Sequence, residues 1–396
     1  MVRRRGNGEG FVGKLKDGRW QARATKGFNA SGQQQFKYFS SKTRQGALQK
    51  LNEFLEQKRK GTFIEAESWA LGDWLDYWYK HYVVGKTRTS TRVNDESIIR
   101  HHLKPALGRI KLKDLRGIHI QPFYNQLLID GRVDKRGGLS AKTIKNIHVV
   151  LHRALEQAMK NELIMRNPLY SVSLPRAVKK EIQILSPEEQ KRLLEVCCKG
   201  EDSLYMAILL TLYSGLRMGE LLGLTWDNVD FNNNRISIKK QASRLKDYSD
   251  GAKNKTKLFL RDETKSNCSE RRIAIAKVIM ERLKEHQNSQ SSLCNRLGKG
   301  FNQYNLVFIG ATGGIVDPAT FRDFYLRALK QANITPKTFH ALRHTFATRA
   351  LESNVNIKVV SEILGHATIQ ITLDTYSHVS YEEQEKAMEK VAEMFF

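Results

Sequence analysis

A multidomain fold is predicted: a small α+β unit of three strands and one helix, then an all-α unit, then a mainly α unit with a small antiparallel sheet. Three observations predict it. Residues 1–62 hold short runs that alternate apolar and polar positions, followed by one helical stripe. Residues 66–173 repeat apolar positions at helical spacing throughout. Residues 186–396 mix helical periodicity with two short strand patterns. With 396 residues the chain has room for two or three cores.

In the first unit, Phe11 to Leu15, Trp20 to Ala24 and Gln35 to Phe39 alternate as strands, with Lys16-Asp17-Gly18 and Asn29-Ala30-Ser31-Gly32 as turns between them. Thr43 to Lys58 then reads as one helix, with Ala47, Leu48, Leu51 and Leu55 on a face. In the second unit, Trp69, Leu71, Trp74, Leu75 and Trp78 recur at helical spacing and are expected in the core. Ser140 is a good N-cap for a helix that aligns Ile144, Ile147, Leu151 and Leu155. Asn167-Pro168 ends that unit, and residues 174–185 form a basic linker. Ser186-Pro187-Glu188-Glu189 combines an N-cap, a first-turn proline and a capping-box acid, so a third unit starts there. Leu204 to Tyr213 reads as a buried helix, and Asp230 to Lys239 and Arg271 to Ala276 read as strands. The polar stretch Gln241 to Glu263 is longer than a hairpin needs and is expected to lie over a partner or to be mobile. In the tail, Ala387, Met388, Val391, Met394 and Phe395 line one helical side.

Composition narrows the partners. Sixty-six basic residues face 41 acidic ones, for a net charge of +25, and residues 1–62 hold 15 Lys or Arg against 4 Asp or Glu. So large an excess favours polyanions, nucleic acid before membrane surface. No apolar run is long enough to span a bilayer, and no secretory leader is expected from the charged start, Met1 to Gly8. Cys197, Cys198, Cys268 and Cys294 show no paired spacing and are expected as reduced thiols. His101-His102, side by side, would not converge on one metal ion, and no metal or cofactor is expected. Clustered carboxylates and a P-loop are also lacking, as suits chemistry that runs without two metals or ATP.

The chemistry sits in the third unit. Arg217 lies in Ser214-Gly215-Leu216-Arg217-Met218-Gly219-Glu220, where its planar fork could bind two oxygens of one phosphate, and Glu220 is expected to orient it. His340 and Arg343, three apart, share a helix face, the first as hydrogen-bond donor or proton carrier and the second as another clamp. His344, one step round, is expected to be structural. His366 follows a glycine helix stop at Leu364-Gly365, and Tyr376 comes shortly after it. A tyrosine attacking a phosphodiester needs its leaving oxygen protonated and the charge on the non-bridging oxygens neutralised, and these residue types can do both.

On these residues the chain resembles a tyrosine recombinase, of the integrase type found in temperate phages and Gram-positive conjugative transposons. That family's pattern of Arg, hairpin Lys, His-x-x-Arg, His or Trp, and Tyr maps onto Arg217, Lys265, His340, Arg343, His366 and Tyr376, with no departure. The resemblance covers essentially the whole chain and is most specific over residues 186–380. It implies an arm-binding domain (1–62), a helical core-binding domain (66–173) and a catalytic domain (186–396) with a tail helix. The activity implied is integration and excision of a mobile element through a 3′-phosphotyrosyl intermediate, with Tyr376 as nucleophile and Lys265 protonating the leaving 5′-oxygen. Implied partners are double-stranded DNA at core and arm sites, a homotetramer joined through the tail, and an excisionase or DNA-bending accessory protein, all in the bacterial cytoplasm. For DNA contact the candidates are Arg3, Arg4, Arg5, Trp20, Arg23, Lys37, Arg88, Arg92, Lys142, Lys145, Lys179 and Lys180. Two other readings stay open here: a type IB topoisomerase, which rejoins the original strand, and a DNA-binding regulator that no longer cleaves.

Overall fold

The computed structural model describes residues 10–28, 33–59, 69–176, 182–246, 256–262, 271–298 and 300–376, and also 388, 392 and 393. The chain divides into two compact units, Met1–Val178 and Lys179–Phe396.

The first unit opens with an antiparallel sheet in the order β1 (Phe11–Lys14), β2 (Trp20–Phe28), β3 (Gln34–Ser41), followed by α1 (Arg44–Arg59). Ala22 and Ala24 of the sheet meet Ala47, Leu51 and Phe54 of the helix in a small core. Side chains alternate faces along a strand, so one strand cannot send Trp20 and Arg23 the same way. The register pairs Arg23 with Phe11 and Tyr38, and these form the open face. Trp20 packs at the core instead, and Lys37, paired with Ala24, lays its ammonium over the Phe39 and Phe54 rings. Of the DNA-contact candidates in this sheet, Arg23 lies on the open face, while Trp20 and Lys37 lie on the face that packs against α1.

The helical part of this unit comprises α2 (Leu71–Trp78), α3 (Thr89–Ile98), α4 (Lys104–Leu107), α5 (Gly117–Asp130) and α6 (Ala141–Lys160). Single π-helical turns extend α2 through Val83 and α3 through Leu103. Trp74 and Trp78 are buried, and the Trp74 indole donates to the Ala154 carbonyl at 2.9 Å, so the tryptophans serve the core as expected. Ser140 caps α6 by accepting from the Thr143 amide. Such caps satisfy amides that the helix itself leaves free, which is why the boundary was readable in the residues.

The second unit contains α7 (Pro187–Lys199), α8 (Ser203–Ser214) and α9 (Met218–Leu222). The Ser186–Glu189 capping box forms in full at the start of α7. A sheet of β4 (Val229–Asp230), β5 (Arg235–Ile238) and β8 (Arg271–Ala274) follows, interrupted by a separate antiparallel pair, β6 (Lys240–Lys246) and β7 (Thr256–Asp262). That pair takes up both ends of the polar stretch Gln241 to Glu263, which the residues alone did not show as strands. Lys240 pairs with Asp262 and Lys246 with Thr256, and Ala242 and Leu245 are buried. The Lys- and Asp-rich composition hid an ordinary ladder whose apolar positions are few. The unit ends with α10 (Lys277–Leu297), α11 (Pro318–Gln331), α12 (His340–Glu352), α13 (Ile357–Leu364) and α14 (Ile369–Tyr376). Its main core joins α7, α8, α10 and α11 through residues such as Leu193, Ile208, Leu283 and Phe321.

Candidate active site

The site is built where α8 and α13 end. Each helix stops on a glycine in the left-handed region, Gly215 at φ 64° and Gly365 at φ 63°. A side chain there would carry backbone strain, and at Gly365 a Cβ would come within 2.9 Å of the Arg271 guanidinium. Carbonyls at a helix C-terminus lack intrahelical donors and form the negative end of its dipole. Three arginines meet these carbonyls. Arg343, only 2% exposed, donates to Gly215 O at 2.8 Å and Leu364 O at 2.6 Å. Arg217 donates to Gly365 O at 3.2 Å, and Arg271 to Ile363 O at 2.7 Å.

Glu220 ties two of them together. Its carboxylate, 1% exposed, accepts from the Arg217 guanidinium at 2.7 Å and backbone amide at 3.0 Å, and from Arg271 at 2.8 and 3.2 Å. Burial would raise this carboxyl, but the hydrogen bonds and charge of Arg271, with the charge of Arg217, hold it below the ordinary carboxylate value. Glu220 thus orients Arg217, as its position one helical turn away suggested. Burial, followed by the Arg217 charge, presses the Arg343 guanidinium down to about 9, still charged at neutral pH. The Arg217 side chain keeps 41% of its surface open, so its fork can receive an anion.

The imidazoles and the phenol surround this cluster. His340, the first residue of α12, keeps an exposed edge and lines an open cleft of about 650 Å³ with Met218, Arg322 and Lys337. Desolvation by the surrounding protein and the Arg343 and Arg217 charges lower its pKa. His366 stands just past Gly365, with Nδ1 2.8 Å from Thr372 Oγ1. Burial, followed by the Arg343 charge, brings it down to about 4. Tyr376 ends α14 at 3% exposure, packed with Ala347, Val360 and Leu364. Burial pushes its phenol up to about 12, against the pull of Arg343.

Arg217, His340, Arg343, His366 and Tyr376 therefore gather around one pair of helix ends. Lys265 lies outside the described residues. Two further groups escaped the sequence reading. Arg271 was only a register mark beside Lys265, and no local signal marks it, because its partners Glu220 and the Ile363 carbonyl lie far from it in sequence. His344 was expected to be structural because it does not share a face with its neighbour Arg343. The relevant spacing is four, from His340: those rings meet edge to face at 4.6 Å, and His344 Nδ1 lies 2.8 Å from the Tyr376 hydroxyl.

Among the DNA-contact candidates, Arg23 projects between the Phe11 and Phe36 rings, 5.2 Å from each. Arg88, Lys142 and Lys145 are exposed, while Arg92 is half-buried and donates to Thr89 Oγ1 at 2.9 Å. Arg3, Arg4, Arg5, Lys179 and Lys180 lie outside the described residues, as does most of the tail.

Comparison with known proteins follows the same division of the chain. The Phage integrase family matches residues 183–383, and the Phage integrase N-terminal SAM-like domain matches residues 70–128. A tyrosine recombinase XerC-like protein of Caldanaerobacter subterraneus subsp. tengcongensis is 29% identical, covering 96% of this chain and 98% of that protein. Among solved structures, the Tn1549 transposon integrase in complex with a circular intermediate DNA superposes with a TM-score of 0.67 at 22% identity, over 82% of this chain and 100% of that one. A lambda integrase tetramer bound to a Holliday junction gives 0.55 at 16% identity, over 94% and 96%. At these identities the structural likeness speaks for the fold.

Proposed function

The chain belongs to the phage integrase family, and from that premise we propose how its residues carry out site-specific recombination. It is a tyrosine-type recombinase acting on double-stranded DNA by transesterification. Tyr376 attacks a backbone phosphate, forms a 3′-phosphotyrosyl bond and releases a 5′-hydroxyl. A 5′-hydroxyl from a partner duplex then attacks that bond, exchanges the strands and frees the tyrosine. One phosphodiester replaces another at similar free energy, so the exchange balances without ATP.

The observation that carries this assignment is the convergence of Arg217, Arg343, His366 and Tyr376 on the C-terminal turns of α8 and α13. Two guanidinium groups beside one phenol can neutralise the charge that develops on a trigonal-bipyramidal phosphorus. His340 and His366 donate to the phosphate oxygens, and Lys265 protonates the leaving oxygen, by the family pattern. The sheet-and-helix unit takes arm-type DNA, the helical unit grips core DNA, and the tail joins protomers into a tetramer; the lambda integrase is likewise a tetramer on a Holliday junction. Among the described residues no helix is long and apolar enough to cross a membrane, and the bacterial cytoplasm is the proposed location.

The test is a nicked duplex carrying the joined ends of the encoding element, quenched in detergent. A covalent adduct that maps to Tyr376 is expected. Tyr376→Phe should lower adduct formation by about 10⁴-fold or more while the duplex still binds. An adduct that persists in the variant would move the nucleophile elsewhere.

A further inference from the structure

Arg217, His340, Arg343, His366 and Tyr376 leave one part of the reaction without a structural partner: the phenol must lose its proton as it attacks. Among the described residues, the hydrogen-bond partner of the Tyr376 hydroxyl is His344, whose Nδ1 lies 2.8 Å away. His340 has no bond to that hydroxyl there and reaches it only through the His344 ring, edge to face at 4.6 Å. The environment keeps both groups neutral. Burial holds Tyr376 as the phenol, up to about 12, and burial with the His340 and Arg343 charges keeps His344 neutral, down to about 4. Between two neutral groups the hydroxyl can donate to a bare Nδ1, which leaves the imidazole proton on Nε2.

We propose that His344 is the proton acceptor for Tyr376 and returns that proton when the tyrosine leaves. The proposal rests on Tyr376 being the nucleophile. In the forward step an Oη lone pair forms the bond to phosphorus, the bond from phosphorus to the 5′-oxygen breaks, and the Oη proton passes to His344 Nδ1. The departing 5′-oxygen takes its proton from an acid on its own side of the phosphate, the place assigned to Lys265. In the reverse step the incoming 5′-hydroxyl gives up its proton to that group, and the His344 imidazolium reprotonates Oη as the phosphotyrosyl bond breaks. A weak base suffices, because the phenol proton becomes strongly acidic once Oη begins to bond to phosphorus. A neutral imidazole also adds no positive charge to a pocket that already holds Arg217 and Arg343.

The experiment measures the rate of adduct formation on the same nicked duplex against pH, for the unmodified chain, His344→Asn and Tyr376→Phe. Asparagine keeps an acceptor oxygen near the Nδ1 position but cannot take the proton. His344→Asn is expected to cut the rate about a hundredfold near neutrality, with a rise of about tenfold per pH unit as hydroxide substitutes. A bridging sulfur in place of the 5′-oxygen, which needs no acid to leave, should not relieve the defect. Wild-type rates in His344→Asn at every pH would overturn the proposal and leave His344 a positioning residue. Relief by the bridging sulfur would overturn it too, by moving His344 to the leaving-group side. Nitrogen-15 histidine spectra of the unmodified chain need no variant to fold: a bare Nδ1 on His344 supports the proposal, and a proton there overturns it. If the unmodified chain yields no adduct, the Tyr376 reading itself fails, an outcome separate from an adduct that ignores His344.

Discussion

Around the turn after α13, the arginines and the tyrosine are secured very differently. Arg217, Arg271 and Arg343 are locked by several bonds to Glu220 and to the carbonyls of residues 215, 363, 364 and 365. Among the described residues, Tyr376 and His366 each rest on one side-chain bond, to His344 and Thr372. The guanidinium groups are thus held in place before any substrate arrives, which limits the reorganisation needed when charge develops. The phenol, at 3% exposure, and Arg343, at 2%, must still be uncovered before they meet a phosphate, whereas Arg217 is already open to solvent. Binding of an anion and readiness to cleave are separable in such an arrangement.

Substitutions on the two sides should accordingly fail in different ways. The largest effect on this comparison is expected from Arg343→Lys. A lysine cannot span the Gly215 and Leu364 carbonyls and offer a planar fork as well, so adduct formation should fall by about 10²–10³. A rate within a few-fold of wild type would show that Arg343 only holds the two helix ends together.

Glu220→Gln comes next and attacks the lock directly. Removing the carboxylate leaves Arg217 and the buried Arg271 without their counter-charge, for a loss of about 3 kcal/mol of stability in thermal melts. The folded carboxyl lies below its ordinary value of 4.5, so its contribution is complete above that pH and is lost as pH falls through the folded value. The gap in melting midpoint between wild type and Glu220→Gln should therefore be widest near neutrality and close below about pH 4.5. A gap unchanged down to pH 3 would mean the carboxylate adds no charge-dependent stability.

Thr372→Val is the mildest and probes the other side. It removes the Thr372 hydroxyl from His366 Nδ1 in nearly the same volume, at about 1 kcal/mol. Adduct formation should slow a few-fold while duplex binding stays unchanged. Equal losses of binding and rate would erase the contrast between clamp and nucleophile.

Residue pattern alone determined much here. Caps at Ser140 and Ser186, the apolar run of α8 and the glycine stop after α13 are local signals, because a helix end must satisfy its own backbone within a few residues. The motifs around Arg217, His340, Arg343, His366 and Tyr376 were readable for a related reason: each is a short stretch that builds one helix end or one helix face. Tertiary structure decided what depends on partners distant in sequence. Arg271 matters only because Glu220 and the Ile363 carbonyl lie against it. His344 matters only because α14 brings Tyr376 to its Nδ1. Lys37 and Trp20 turned away from the open face because strand register and α1, rather than charge, chose the covered side. Local backbone needs are written in neighbouring residues, whereas ion pairs and proton partners across the fold arise from packing, which no single stretch encodes.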